Sequence, residues 1–114
     1  MNFRHVNSSP DRTTLALEGS LDFTQVEEIK APFLAAVAAH PGTVVVDLSL
    51  VTFVASLGMR LFIDAYKLLA PSGGKLIMFR PSPTVRKILL HAGMESVFSI
   101  AETEEDVATL TGDE

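Results

Sequence analysis

A chain of 114 residues, 47% hydrophobic and 20% charged, has the size and composition of one packed domain, which excludes a disordered chain and a coiled coil. The formal net charge is -5, and the 9 Lys and Arg residues are spread thinly. No basic patch is available to neutralise a run of phosphates, so nucleic acid is excluded as a direct partner. The absence of cysteine removes disulfides, thiol chemistry and thiolate metal sites, and fits a reducing compartment.

The start, Met1-Asn2-Phe3-Arg4-His5, lacks the apolar core of a signal peptide, and no apolar run is long enough to span a bilayer. A cytoplasmic location without direct membrane insertion is expected. Phe3 and Val6 precede the turn-rich Asn7-Ser8-Ser9-Pro10-Asp11, after which Thr14 to Gly19 alternate. Two antiparallel strands joined by a turn are expected there. Thr24 and Glu27 match a capping box, so a helix should begin at Thr24. Its apolar positions Val26, Ile29, Phe33 and Val37 keep the helical repeat, while Pro32 inside the pattern predicts a kink or two shorter pieces before Pro41-Gly42.

The β-branched run over 43–48 predicts a central strand covered on both faces, followed by a loop over 49–55. A helix is expected over 58–69, with Arg60, Asp64 and Lys67 on one narrow polar stripe. Pro71-Ser72-Gly73-Gly74 ends it, and Lys75 to Phe79 read as another strand. Ser82-Pro83 starts a helix whose face carries Val85, Ile88, Leu89 and Ala92, and Gly93 suits its left-handed stop. A short strand over 97–100 and a terminal helix capped by Thr103 and Asp106 complete the chain. Strands alternating with helices imply parallel pairing through right-handed crossovers. The expected fold is α/β: one domain over 1–114, with a mixed sheet of about four to five strands and helices packed on it.

Few residues offer chemistry. His5, His40 and His91 stand in unlike contexts without metal-ligand spacing, and the acids Glu102, Glu104, Glu105 and Asp106 suit the positive end of the last helix. Gly73-Gly74 matches neither a dinucleotide fingerprint nor a phosphate loop, and Asp22, Asp47 and Asp64 are unpaired as catalytic acids. No catalytic residue, metal site or cofactor is expected, and the chain reads as a non-enzyme. Ser56 differs, because Val54-Ala55-Ser56-Leu57-Gly58-Met59 joins a buried strand to a helix. Its hydroxyl should sit near free N–H groups at the positive end of that helix, a place that favours phosphate. The competing expectation is that Ser56 merely caps the helix while Gly58 permits tight packing.

Asp47-Leu48-Ser49-x-Val51-x-Phe53-Val54-Ala55-Ser56-Leu57-Gly58 resembles the signature of the STAS family, the domain of anti-sigma-factor antagonists and of sulfate-transporter tails. Leu17-x-Gly19-x-Leu21-Asp22 resembles the family's early strand and turn. Gly74-x-Leu76, Ser82-Pro83-x-Val85 and Ala92-Gly93-Met94 through Phe98-x-Ile100 resemble its later segments in order. The resemblance implies an anti-sigma-factor antagonist that works by partner switching. Unphosphorylated, it would bind an anti-sigma factor that is also a serine kinase of the GHKL type. That kinase would phosphorylate the residue matching Ser56, and a PP2C-type phosphatase would restore it. Asp22, Ala55, Ser56, Leu57, Gly58, Met59 and Leu61 are the expected partner-binding residues; for Leu57, Met59 and Leu61 the competing expectation is that they simply pack on the sheet. Where the family often carries an acid before the serine and Ser or Thr after it, this chain carries Ala55 and Leu57. A second implied role is a constitutive scaffold subunit of a transporter or signalling complex, with Ser56 only a helix cap. A small nucleotide-binding or hydrolytic protein is a third class, for which no phosphate loop is present.

Overall fold

Strands β1 (Asn2–Ser8) and β2 (Arg12–Leu21) pair antiparallel with Phe3 opposite Leu17, as two β-prone segments flanking a turn-rich stretch should. The computed structural model describes residues 2–8, 12–39, 42–93 and 97–111; of the expected turn residues, Asn7 and Ser8 belong instead to β1, opposite Thr14 and Thr13, while Ser9, Pro10 and Asp11, with His40, Pro41 and Met94, lie outside the described residues. Strands β3 (Thr43–Val54), β4 (Lys75–Phe79) and β5 (Ser99–Ala101) join in chain order as parallel neighbours. The described residues thus form a five-stranded mixed sheet, ordered β1-β2-β3-β4-β5. The last strand sits slightly later than the expected 97–100.

Helices α1 (Phe23–Ala39), α2 (Ser56–Leu69) and α3 (Pro83–His91) connect the parallel strands, and α4 (Glu104–Thr111) follows β5. Right-handed crossovers that all step the same way across a sheet place their helices on one face. The packing follows that rule. Val26, Ile29, Phe33 and Val37 of α1, Phe62 and Leu69 of α2, and Val85 and Leu89 of α3 share one core with Leu15, Val44, Val46 and Met78 of the sheet. Val107 of α4 packs on the other face against Val45, Ile77, Phe79 and Ala101. Val44, Val45 and Val46 are consequently all buried, the both-sided covering that their unbroken apolar run predicts. Each large side chain so buried contributes on the order of 1.5–3 kcal/mol. Phe3 meets Phe33 edge to face at 5.9 Å and joins the outer strand to α1.

Four expectations need correction. The capping residue of α1 is Asp22 rather than Thr24: its Oδ1 accepts the Gln25 N–H at 3.1 Å, and its carbonyl accepts from Val26. Secondly, Pro32 neither kinks nor divides α1 but lies inside one continuous helix. It falls on the exposed side, where water can satisfy the carbonyl that loses its intrahelical partner. Thirdly, the segment over 49–55 is mostly strand, because β3 continues to Val54 and pairs with β2 through two register shifts. Finally, α2 starts at Ser56 rather than Gly58. Elsewhere the caps match: Ser82 Oγ accepts the Val85 N–H, and Thr103 and Asp106 bond reciprocally to each other's N–H groups. Gly93 has φ 68°, the left-handed stop that glycine tolerates best.

Candidate functional site

Two strand-to-helix corners meet where the parallel strands β2 and β3 end. Leu21 lies opposite Val54 in the register, and the Ala55 N–H donates to the Leu21 carbonyl at 2.9 Å. One corner turns through Asp22 into α1, the other through Ala55 into α2. Their adjacency brings Asp22, Phe23, Phe53, Ala55, Ser56 and Leu57 to one end of the sheet.

Ala55 is extended, with φ -85° and ψ 175°, and holds the cap position of α2 without any side-chain capping bond. Its carbonyl accepts from Gly58 at 2.9 Å and from Met59 at 3.1 Å. The expectation that Ser56 caps the helix is therefore overturned: Ser56 is the first helical residue, and its side chain is exposed. This position lies in the first turn, at the positive end of the helix dipole, where the Gly58 N–H already turns back to the Ala55 carbonyl. No side-chain acceptor stands at the cap, so the electrostatic environment favours an anion attached at Ser56.

Gly58 is buried for want of space. A Cβ there would stand 2.9 Å from Val54 Cγ1 and 3.0 Å from Leu21 Cβ, so the glycine lets α2 seat directly on the ends of both strands. Met59 and Leu61, expected on the docking surface, are buried instead, at 8% and 2% exposure. Helical geometry turns them onto the sheet with Phe62 and Ala65. Leu57 remains 38% exposed, and it borders Val26, Glu27 and Lys30 of α1. Asp22 is exposed, with its carboxylate committed to the α1 cap.

Two apolar residues that were not among the expected site residues also stand exposed at this end, Phe23 at 64% and Phe53 at 46%. With Leu57 they are three exposed apolar side chains at the two strand-to-helix corners. Phe53 stood inside the recognised motif, and Phe23 follows Asp22 directly; neither carried a local sign that nothing would cover it.

Beside Ser56 opens a cleft of about 490 Å³. Val54, Ala55, Ser56 and Met59 form one wall, and Thr84, Lys87, Ile88, His91 and Ala92 of α3 form the other. Among the described residues no cluster of His and acidic side chains could hold a metal ion, and no helix is long and apolar enough to cross a membrane.

Comparisons with known proteins agree with this architecture. The STAS domain family profile matches residues 4–107. The anti-sigma F factor antagonist of Lysinibacillus sphaericus is 27% identical over 113 residues, which cover 98% of this chain and 97% of that protein. The unphosphorylated form of the anti-sigma factor antagonist SpoIIAA superposes with a TM-score of 0.78 at 27% identity, covering 97% of both chains. The phosphorylated form of Bacillus SpoIIAA gives 0.70 at 25% identity, covering 96% of this chain and 99% of the other. A profile match over nearly the whole chain, on a sheet and helices arranged as in SpoIIAA, makes this protein a member of the STAS domain family.

Proposed function

We propose that this protein is an anti-sigma-factor antagonist, a cytoplasmic binding partner rather than an enzyme, switched by phosphorylation of Ser56. The observation that carries the reading is the exposure of Ser56 at the first turn of α2, beside uncovered Leu57 and near uncovered Phe23 and Phe53. An apolar patch of this kind suits docking. A phosphoserine at its edge brings about -1.5 to -2 charge at neutral pH, which a partner can bury only at a desolvation cost. Binding then falls without refolding of the domain. The names of the relatives support the role: an anti-sigma F factor antagonist at 27% identity, and SpoIIAA in both unphosphorylated and phosphorylated forms.

The partner in this reading is an anti-sigma factor that doubles as a serine kinase of the GHKL type, and a PP2C-type phosphatase resets the switch. The binding surface comprises Asp22, Phe23, Phe53, Ala55, Ser56 and Leu57, while Gly58, Met59 and Leu61 support it from beneath. Ala55 keeps the residue before the serine uncharged, so the kinase would recognise the corner mainly through its apolar surface.

The test is a pull-down from native lysate with wild type, Ser56→Ala and Ser56→Asp as baits, and phosphate mapping of the recovered protein. Recovery of a kinase-fold regulator by the first two but not the third, with phosphate on Ser56, is the expected result. Equal recovery by all three, with Ser56 unmodified, would leave a constitutive scaffold and refute the switch.

A further inference from the structure

The cleft beside Ser56 has an uneven distribution of charge. Its α3 wall carries Lys87 and His91, one helical turn apart, and no Asp or Glu lines either wall. Both side chains are exposed, and among the described residues neither is held in an ion pair. In a chain of net charge -5, a cleft with a lysine, a histidine and no acid is a local reversal of the overall field. The wall is also fixed in place. Ser82 caps α3, and Val85 and Leu89 are fully buried on its opposite side, which leaves positions 84, 87, 88 and 91 facing α2.

The geometry points to a phosphoryl-holding site in this cleft, in which Lys87 and His91 receive the phosphate carried by Ser56. The inference rests on Ser56 as the modified residue and adds where the modified group goes. A phosphate monoester offers three acceptor oxygens. Lys87 supplies an ammonium with three donors, and His91 a ring N–H in either protonation state. The positive end of the α2 dipole lies on the serine side of the same group. The other charged groups nearby lie elsewhere. Arg60 is paired to Asp64 at 3.7 Å and borders Leu57 on the α1 side, and Asp22, at the neighbouring corner, is engaged by its own cap and repels the phosphate from that direction. The phosphate is thereby drawn toward α3 while it stays beside Ser56 at the edge of the apolar corner, where a docking partner would still have to desolvate it. Held so, it is harder for a phosphatase to reach, and the off state persists.

The test installs phosphoserine at position 56 during translation, so no kinase is needed, and follows the phosphate's second ionisation by phosphorus NMR. Cations beside a phosphate favour its dianion and lower that midpoint, which for free phosphoserine is about 6. The expected result is that K87Q/H91Q raises the midpoint by roughly 0.5 unit or more, a threefold or larger change in the ionisation constant, with K87Q alone producing part of it. Both residues are exposed, so the circular dichroism spectrum and melting temperature should match those of the parent phosphoprotein. An unchanged midpoint in K87Q/H91Q would overturn the site, leaving the helix terminus alone to act on the phosphate. That outcome is separate from the fate of the functional reading: lack of natural phosphate on Ser56 would overturn the switch and leave this titration standing.

Discussion

At Gly58 the structure leaves no room for even one added carbon. The hypothetical Cβ would lie 3.2 Å from the Leu21 carbonyl oxygen as well as against Val54 and Leu21 side-chain atoms. That carbonyl is already held by the Ala55 N–H, so α2 itself must move. Overpacking of this kind costs about 1–3 kcal/mol, set against roughly 1 kcal/mol that alanine gains in a helix. Gly58→Ala should therefore lower the urea midpoint; an unchanged or raised midpoint would contradict the close seating. The two corner residues separate in the opposite sense to their functional weight. Asp22→Ala removes a capping bond and should cost about 1 kcal/mol, whereas Ser56→Ala removes an exposed, non-capping hydroxyl and should stay within about 0.5 kcal/mol. Equilibrium unfolding of both variants checks the pair. Thr24 with Glu27 has the spacing of a capping box, but the structure uses Asp22, which stands at the same spacing from Gln25. The end of β2 at Leu21 selects the earlier residue, and that choice depends on sheet pairing rather than on local pattern.

Among the elements, those with a clear periodicity were legible and those shaped by their neighbours were not. The helical face of Val26, Ile29, Phe33 and Val37 and the apolar run Val44-Val45-Val46 are buried as their spacing requires. The second half of β3 escaped because β4 pairs only along 43–47. Beyond that point Ser49, Leu50, Thr52 and Phe53 are exposed, so the segment loses both the solid apolar run of a central strand and a simple alternation. The kink expected at Pro32 fails for a related reason: a proline on the wet side of a well-packed helix can be carried by the packing of the dry side. It still weakens α1. Pro32→Ala restores an N–H to the ladder and should stabilise the protein by roughly 1–3 kcal/mol, after the smaller gain that proline makes by restricting the unfolded chain. A raised midpoint in urea is the expected outcome; a lowered one would mean that the helix depends on the proline's fixed φ.

For the whole molecule, the fold's contribution is to bring separate parts of the chain to one end of the sheet. Ser56 was legible because a motif singled it out, and Leu57 because it adjoins it. Phe23 and Phe53 were not, since an aromatic is left uncovered by what is missing beyond the strand ends, a property no local pattern encodes. Met59 and Leu61 were misplaced for the complementary reason: helix phase, fixed only once α2 starts at Ser56 and seats on Gly58, turns them inward. Lys87 and His91 are brought opposite Ser56 by the crossover from β4 into α3, so the proposed docking corner and the proposed phosphate cleft both adjoin one serine. The decisive measurement is the affinity of the anti-sigma regulator recovered in the pull-down for the unmodified protein and for the protein bearing phosphoserine at position 56. A phosphate-switched corner gives binding weakened at least tenfold by the phosphate, about 1.4 kcal/mol; equal affinities would refute the switch.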